Sequence, residues 1–155
     1  VASRGLGDVY KRQIFNPCTE ITLEEYAAAG FPGIEVEGDG ATFHDHNACD
    51  IPPTEEQFAR YVSASFSNGR PNREMIEMQG LLLPQYTSEL VPELFAFAAT
   101  DHNPSVCYTQ IDTLRGGFGA FADGLAPDVT QGEMCELAIE TTEQLFLEFG
   151  TGNVH

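Results

Sequence analysis

Basic residues and long apolar runs are both scarce in this sequence. It has 7 lysine and arginine residues against 24 acidic residues, which gives a formal net charge of −17 at pH 7. A surface of this charge repels phosphate backbones and anionic lipid headgroups, which argues against nucleic-acid and membrane binding. No apolar run approaches the length of a membrane span, and the leucine cluster LLL at 81–83 ends at once at Pro84. The expected partners are therefore a divalent cation and, in addition, a protein.

Closely spaced cysteine pairs are absent as well. Cys18, Cys49, Cys107 and Cys135 include no CxxC motif, so they give no sign of a zinc ribbon or a dithiol redox site. In one interpretation they form two disulfides, Cys18 with Cys49 and Cys107 with Cys135, which would suit a secreted or extracellular protein. In the other they are free thiols that fill small spaces in the core. The sequence leaves the pairing and the compartment open.

The first thirteen residues do not look native. The segment SRGLGDVYKRQ, Ser3 to Gln13, corresponds to the in-frame translation of a transposase adapter used to prepare sequencing libraries. We therefore interpret residues 1–13 as a reagent sequence on a chain assembled from environmental or transcript reads, and exclude them from fold reasoning. We expect residues 14–155 to form a single acidic α-helical domain that is truncated at its N-terminus.

The pattern of caps and breakers predicts a mainly α fold of short helices joined by loops. Thr22 and Glu25 form a capping box that starts a helix over 22–30, and Thr130 and Glu133 start the last helix over 130–149. Further helices are predicted for three segments: 53–68, from Asn72 to Pro84, and from Thr87 to Ala99. Only Gly33 to Phe43 alternates like a strand, and its glycines favour a loop or a short β ribbon.

One stretch, DHNPSVCYTQID at 101–112, has the oxygen spacing of a metal-binding loop. Carbonyl, hydroxyl and carboxylate oxygens recur at window positions 1, 3, 5, 7, 9 and 12, the spacing that a Ca²⁺ loop uses. The segment resembles the loop of the EF-hand calcium-binding superfamily. The resemblance implies calcium ligands at Asp101, Asn103, Ser105, Cys107 (through its carbonyl), Thr109 and Asp112.

Two further segments resemble degenerate EF-hand loops. The run ITLEEY is similar to the end of such a loop and the start of its exiting helix, and DHNACDIPPTEE matches at its ends. The implied ligands are Asn16, Thr22 and Glu25 in the first segment, and Asp45, Asn47 and Glu56 in the second. Cysteine replaces an oxygen ligand in both, and none of these loops has the glycine at the sharp bend. The resemblance therefore implies a calcium-binding regulatory, buffering or interaction domain with one or two competent loops at most.

Two other functions are compatible with the sequence. His44, His46 and His102, beside Asp45 and Asp101, would form a zinc or iron site if the two DHN segments met, and such a site would support a metal-dependent enzyme. Alternatively, the domain binds no ion and serves as a structural or protein-interaction domain. Its phenylalanines would then form the core or a partner groove. The chain has no Ser-His-Asp elbow and no phosphate-binding glycine loop, so catalysis is the less favoured expectation.

Overall fold

The protein is a mixed fold built on one antiparallel sheet, as a computed structural model of the chain shows for residues 14–35, 41–43 and 46–150. The strands are β1 Ala41–Phe43, β2 His46–Ile51, β3 Val62–Gly69, β4 Phe95–Phe97, β5 Val106–Thr113 and β6 Gly116–Gly124. The helices are α1 Leu23–Ala28, α2 Glu55–Ala59, α3 Arg73–Met78 and α4 Gln131–Phe149. The six strands lie in the order β1-β2-β3-β6-β5-β4. The prediction of a mainly α fold is therefore wrong.

The helix starts that the sequence predicted at Thr22, Asn72 and Thr130 are confirmed. The Thr22 hydroxyl accepts the Glu25 N–H, and the Glu25 side chain accepts the Thr22 N–H in return. The side chains of Asn72 and Thr130 each accept a backbone N–H three residues on. These local hydrogen bonds satisfy amides that a helix leaves unpaired at its start, whatever the surrounding tertiary structure.

Two predicted helices contain a strand. Helix α2 stops at Ala59, and Tyr61 then takes a left-handed backbone conformation with φ of 53°. The chain continues as β3, in which Val62, Ala64 and Phe66 are buried in alternation with serines. Alternation of this kind has the period of two that a strand requires. It determines the structure of this segment, although Phe58 and Tyr61 have the spacing of a helix. The segment predicted as a helix to Ala99 likewise contains strand β4.

The EF-hand-like helix-loop-helix units are also wrong. Residues 106–113 form β5, which pairs with β6 in a hairpin rather than continuing a metal loop into a helix. Gly116 has φ of 95° in the turn between the two strands. A side chain at Gly119 would collide with the Thr109 carbonyl, so glycine is needed where the two backbones approach.

Helix α4 packs across β5 and β6 and covers one face of the sheet. Phe118 is fully buried there, between the rings of Phe15 and Phe146 at centroid distances of 5.2 and 5.5 Å. A disulfide joins Cys107 in β5 to Cys135 in α4, which confirms the disulfide interpretation for this pair. We call this side of the sheet the covered face. No helix in the described part of the chain is long and apolar enough to span a membrane.

The segment before α1 packs onto the same face. The Arg115 guanidinium makes two hydrogen bonds with the Glu20 carboxylate, of 2.7 and 2.9 Å, in a nearly buried ion pair. The Asn68 amide donates to the Phe15 carbonyl over 2.9 Å. The N-terminal segment is thus held to β3 and to the β5–β6 turn by charge and hydrogen bonds as well as by apolar contact.

Candidate functional site

The face of the sheet opposite α4 has a row of side chains that crosses every strand from β4 to β2. Residues paired across neighbouring antiparallel strands lie on the same face, so the strand register defines the row. Its members, in spatial order, are Leu82, Phe97, Tyr108, Phe121, Ser65, Asp50 and Glu35. We call this set the transverse row, and this side of the sheet the open face.

The first half of the transverse row is aromatic. The rings of Phe97 and Tyr108 stack with a centroid distance of 5.2 Å and an interplanar angle of 13°. Tyr108 and Phe121 follow at 5.1 Å. All three side chains remain partly exposed. The residue before each of them in the chain points to the covered face and is buried. Partly exposed, mutually packed rings give an apolar platform that costs little entropy to hold in place.

The second half of the row is acidic. Ser65 is buried by its neighbours, and its hydroxyl donates to the exposed Asp50 carboxylate over 2.9 Å. Glu35 pairs with Asp50 through two backbone hydrogen bonds of 2.9 and 3.0 Å, which places a second carboxylate at the end of the row. Asp123 lies on the same face, where its carboxylate accepts a hydrogen bond from Ser63. The serines hold two of the carboxylates in fixed positions on the sheet.

The electrostatic effect of these carboxylates reaches the aromatic half. Partial burial raises the pKa of the Tyr108 hydroxyl, and the negative charges of Asp123 and Asp101 raise it further. A phenol keeps its proton longer where its own negative charge would be both desolvated and repelled. The open face near Tyr108 is therefore a site of negative potential, which disfavours anions and favours cations.

The register also places an aromatic ring and a carboxylate on either side of Ser65. Ser65 lies between Phe121 and Asp50, one strand from each, so the two larger residues are about 10 Å apart across the row. Ser65 itself is buried, so a ligand here would lie on the surface of the open face, over Phe121 and Asp50. A guanidinium bound at this position would contact an aromatic ring and a carboxylate, the two partners that this group prefers.

Comparison with known proteins adds no family to this description. The chain matches no protein-family model, no curated protein and no solved structure. The function is therefore argued from the geometry of the two faces.

The structure does not bring the six predicted ligands of 101–112 to one centre. Asp101 and Asn103 each accept a backbone N–H two residues on, at 3.0 and 2.9 Å, and so form consecutive turns. Thr109 is buried on the covered face, where its hydroxyl lies 2.8 Å from that of Thr142. Asp112 is on the open face and accepts the Arg73 N–H over 3.0 Å. Thr109 and Asp112 thus lie on opposite sides of one strand.

The remaining predicted ligands are dispersed or occupied. Asn16 accepts the Cys18 N–H, Thr22 and Glu25 cap α1, and Asn47 hydrogen-bonds to Asn68. Glu56 is exposed in the first turn of α2, Ser105 lies just before β5, and Cys107 is in the disulfide. Asp45 and His44 lie outside the described residues. Calcium binding stays a prediction, for which calorimetric titration of the protein and of Asp101→Ala is the test.

Within 14–35, 41–43 and 46–150, no three His, Cys, Asp or Glu side chains group closely enough to hold a metal ion. His102 is exposed and has φ of 56°, in the loop before β5. The zinc or iron hypothesis stays a prediction, because His44 and Asp45 lie outside the described residues.

A separate feature of the surface, a cleft, lies between α2 and the start of α4. It is a shallow cleft of about 210 Å³ lined by Thr54, Glu56, Gln57, Arg60, Val62, Glu133, Met134 and Leu137. Its arginine, Arg60, already pairs with Glu133 at 3.0 Å and with Asp128 at 3.5 Å. Because its main charges neutralise each other, this cleft offers less for a charged ligand than the open face does.

Sequence reasoning did not find the transverse row. The sequence predicts phenylalanines in a core or a partner groove, but it does not connect Phe97 with Tyr108, Phe121, Ser65 or Asp50. A strand signal is present in VSASFS, where serines alternate with apolar residues, but not in FGAFAD, where the two phenylalanines are three residues apart. Neither segment alone specifies which strands are neighbours or in what register they pair.

Proposed function

We propose that this protein is a binding module whose open face takes an arginine-bearing segment of a partner protein. The transverse row carries the proposal, because one line of side chains joins an aromatic platform to fixed carboxylates. The proposal corresponds to the ion-independent interaction domain among the sequence-based alternatives. It requires neither a metal ion nor catalysis.

The charge of the chain supports a basic partner. At −17 the protein attracts cationic partners over distances comparable to the Debye length and repels other copies of itself. Apart from Lys11, the basic residues are all arginine, and two of them, Arg60 and Arg115, are paired with carboxylates. Charge complementarity of this kind speeds encounter and excludes anionic competitors more than it adds affinity.

The aromatic half of the transverse row favours arginine over other cationic groups as the bound residue. A guanidinium is planar, is weakly hydrated and stacks on rings, whereas an ammonium is a compact and strongly hydrated charge. Phe121 is the ring nearest the acidic half, with Asp50 beyond Ser65 to accept hydrogen bonds. A cation–π contact contributes about 0.5–1 kcal/mol at an exposed site, and the carboxylate hydrogen bonds come in addition.

The test is a binding titration with a pair of matched peptides. A short labelled peptide of alternating arginine and glycine is added to the protein, and its anisotropy is followed at low and at high salt. The control peptide has citrulline in place of arginine, which keeps the shape and removes the charge. We expect the arginine peptide to bind, to bind more weakly at high salt, and to outcompete the citrulline peptide.

Matched variants locate the site. Phe121→Ala and Asp50→Asn are each expected to weaken binding roughly three- to ten-fold, since each removes one of the two partners of the guanidinium. Their controls are Phe58→Ala, which removes an exposed ring on α2, and Glu140→Gln, which removes one charge on the outer side of α4. Equal losses in Asp50→Asn and Glu140→Gln would mean that net charge alone causes binding. That result, or no binding by the unmodified protein, would reject the proposal.

A further inference from the structure

Two buried thiols lie in the same part of the core, one of them in β2. Among the described residues Cys18 and Cys49 are the free cysteines, and they belong to the same hydrophobic cluster, with 8% and 1% of their surfaces exposed. They are near enough to each other for Cys49 to raise the pKa of the Cys18 thiol. The other two cysteines of the chain are already joined as a disulfide.

Both thiols are held in place by their surroundings. The Cys49 sulfur lies 3.8 Å from the carbonyl of Phe66, its partner across β2 and β3, and 3.9 Å from the Tyr26 hydroxyl. The same hydroxyl donates to the Pro17 carbonyl over 2.7 Å, directly before Cys18. The Cys18 N–H donates to the Asn16 side chain over 2.9 Å. Tyr26 therefore joins the two cysteine-bearing segments and holds Cys18 and Cys49 in the same part of the core.

We propose that Cys18 and Cys49 form a second disulfide when the protein meets a small-molecule disulfide such as oxidised glutathione. The more accessible Cys18 thiolate attacks the glutathione disulfide, forms a mixed disulfide and releases one glutathione. The Cys49 thiolate then attacks the Cys18 sulfur and releases the second glutathione. Two protons leave the protein, the two cysteines are oxidised, and one oxidised glutathione is reduced to two molecules of glutathione.

The environment of the pair determines when this reaction occurs. The hydrogen bond with Cys49 raises the pKa of Cys18 far above its usual value, and burial raises it further. Thiolate is scarce as a result, so oxidation of the folded protein is slow, and oxidation during refolding is fast by comparison. The bond fastens the N-terminal segment to β2 and is independent of whatever the open face binds.

Mass spectrometry of the unmodified protein tests the proposal. The protein is refolded in a glutathione redox buffer, quenched with acid, alkylated in denaturant and digested without reduction. Trypsin leaves both cysteines in one peptide, because no lysine or arginine lies between them, so a protease that cleaves after glutamate, as at Glu35, is required. We expect a linked pair of peptides containing Cys18 and Cys49, and no alkylation at either residue.

The Cys107–Cys135 bond is an internal control, since trypsin cleavage at Arg115 leaves its halves on separate peptides. Oxidation is also expected to raise the melting temperature by several degrees, and Cys18→Ser should abolish that rise. Complete alkylation of both cysteines after oxidative refolding would overturn the proposal, as would a link from Cys18 to any other cysteine. Both outcomes are measured on the unmodified protein, so they test the proposal even if Cys18→Ser does not fold.

Discussion

The two faces of the sheet are built from the same strands and differ in almost every other respect. On β6, Phe118 points to the covered face and is fully buried between two aromatic rings, whereas Phe121 points to the open face and stays partly exposed. On β5, Cys107 is bonded to α4, and its neighbour Tyr108 lies in the transverse row. Alternation along a strand therefore separates the residues that stabilise the fold from those available for binding.

The charge distribution follows the same division. On the covered face the polar groups are paired within the protein: the hydroxyls of Thr109 and Thr142 hydrogen-bond to each other and to the Ala138 carbonyl, and the Glu20 carboxylate is paired with Arg115. The open face carries Asp50 and Asp123, both held by serine hydroxyls. Carboxylates are tolerated there because water reaches them, and they would be costly to bury under α4.

The largest expected effect is on the covered face. Phe118→Ala is expected to lower the free energy of unfolding by about 3–5 kcal/mol, because it leaves a cavity between Phe15, Phe146 and the strands. Phe121→Ala should cost far less, since its ring is already partly hydrated. Urea denaturation of both variants measures the difference. Equal losses of unfolding free energy in the two variants would contradict the proposal that the covered face stabilises the fold and the open face does not.

A smaller loss is expected from the bond between β5 and α4. Replacing both Cys107 and Cys135 with alanine should lower the free energy of unfolding by about 2–4 kcal/mol, through the freedom that the unfolded chain regains. Binding by the open face should persist at temperatures where the variant is folded. Thermal unfolding and peptide titration of the same variant check the two statements. Loss of binding in the folded variant would mean that the two faces are coupled.

The smallest expected effect concerns the pH dependence of the open face. The raised pKa of Tyr108 means that the unfolded chain loses this proton first as the pH rises, so the stability contributed by the neutral phenol is present below about pH 10. It is then lost as the pH passes through the folded-state pKa. Ultraviolet titration of tyrosinate in the wild type and in Asp123→Asn measures the effect. The variant should titrate at lower pH, and an unchanged Tyr108 titration would contradict the assigned role of Asp123.

The local parts of the fold were predictable from the sequence, and the sheet was not. The caps at Thr22, Asn72 and Thr130 involve residues three apart, so a single sequence contains all the information they need. The strand β3 was mistaken for a helix because Phe58 and Tyr61 fit helical spacing, while the alternating Val62, Ala64 and Phe66 extend past them. The strand β6 was not predicted, and its Gly119 is required by the close approach of β5.

The candidate site was missed for a related reason. The oxygen spacing at 101–112 is a one-dimensional pattern, and a strand sends alternate members of it to opposite faces, as it does for Thr109 and Asp112. The transverse row is the reverse case. Its members are far apart in the sequence, and the register of four strand pairings, extended by a bridge at each end, brings them into line.

The strand order also constrains how the chain is made. β3 lies beside β6, so the middle of the sheet stays unpaired until residue 124 has left the ribosome, well after the first three strands. Until then one edge of β3 is unpaired and open to another nascent chain, and the helix that shields the neighbouring strands arrives last of all. The order of synthesis thus leaves the N-terminal half with an exposed sheet edge until the β5–β6 hairpin docks.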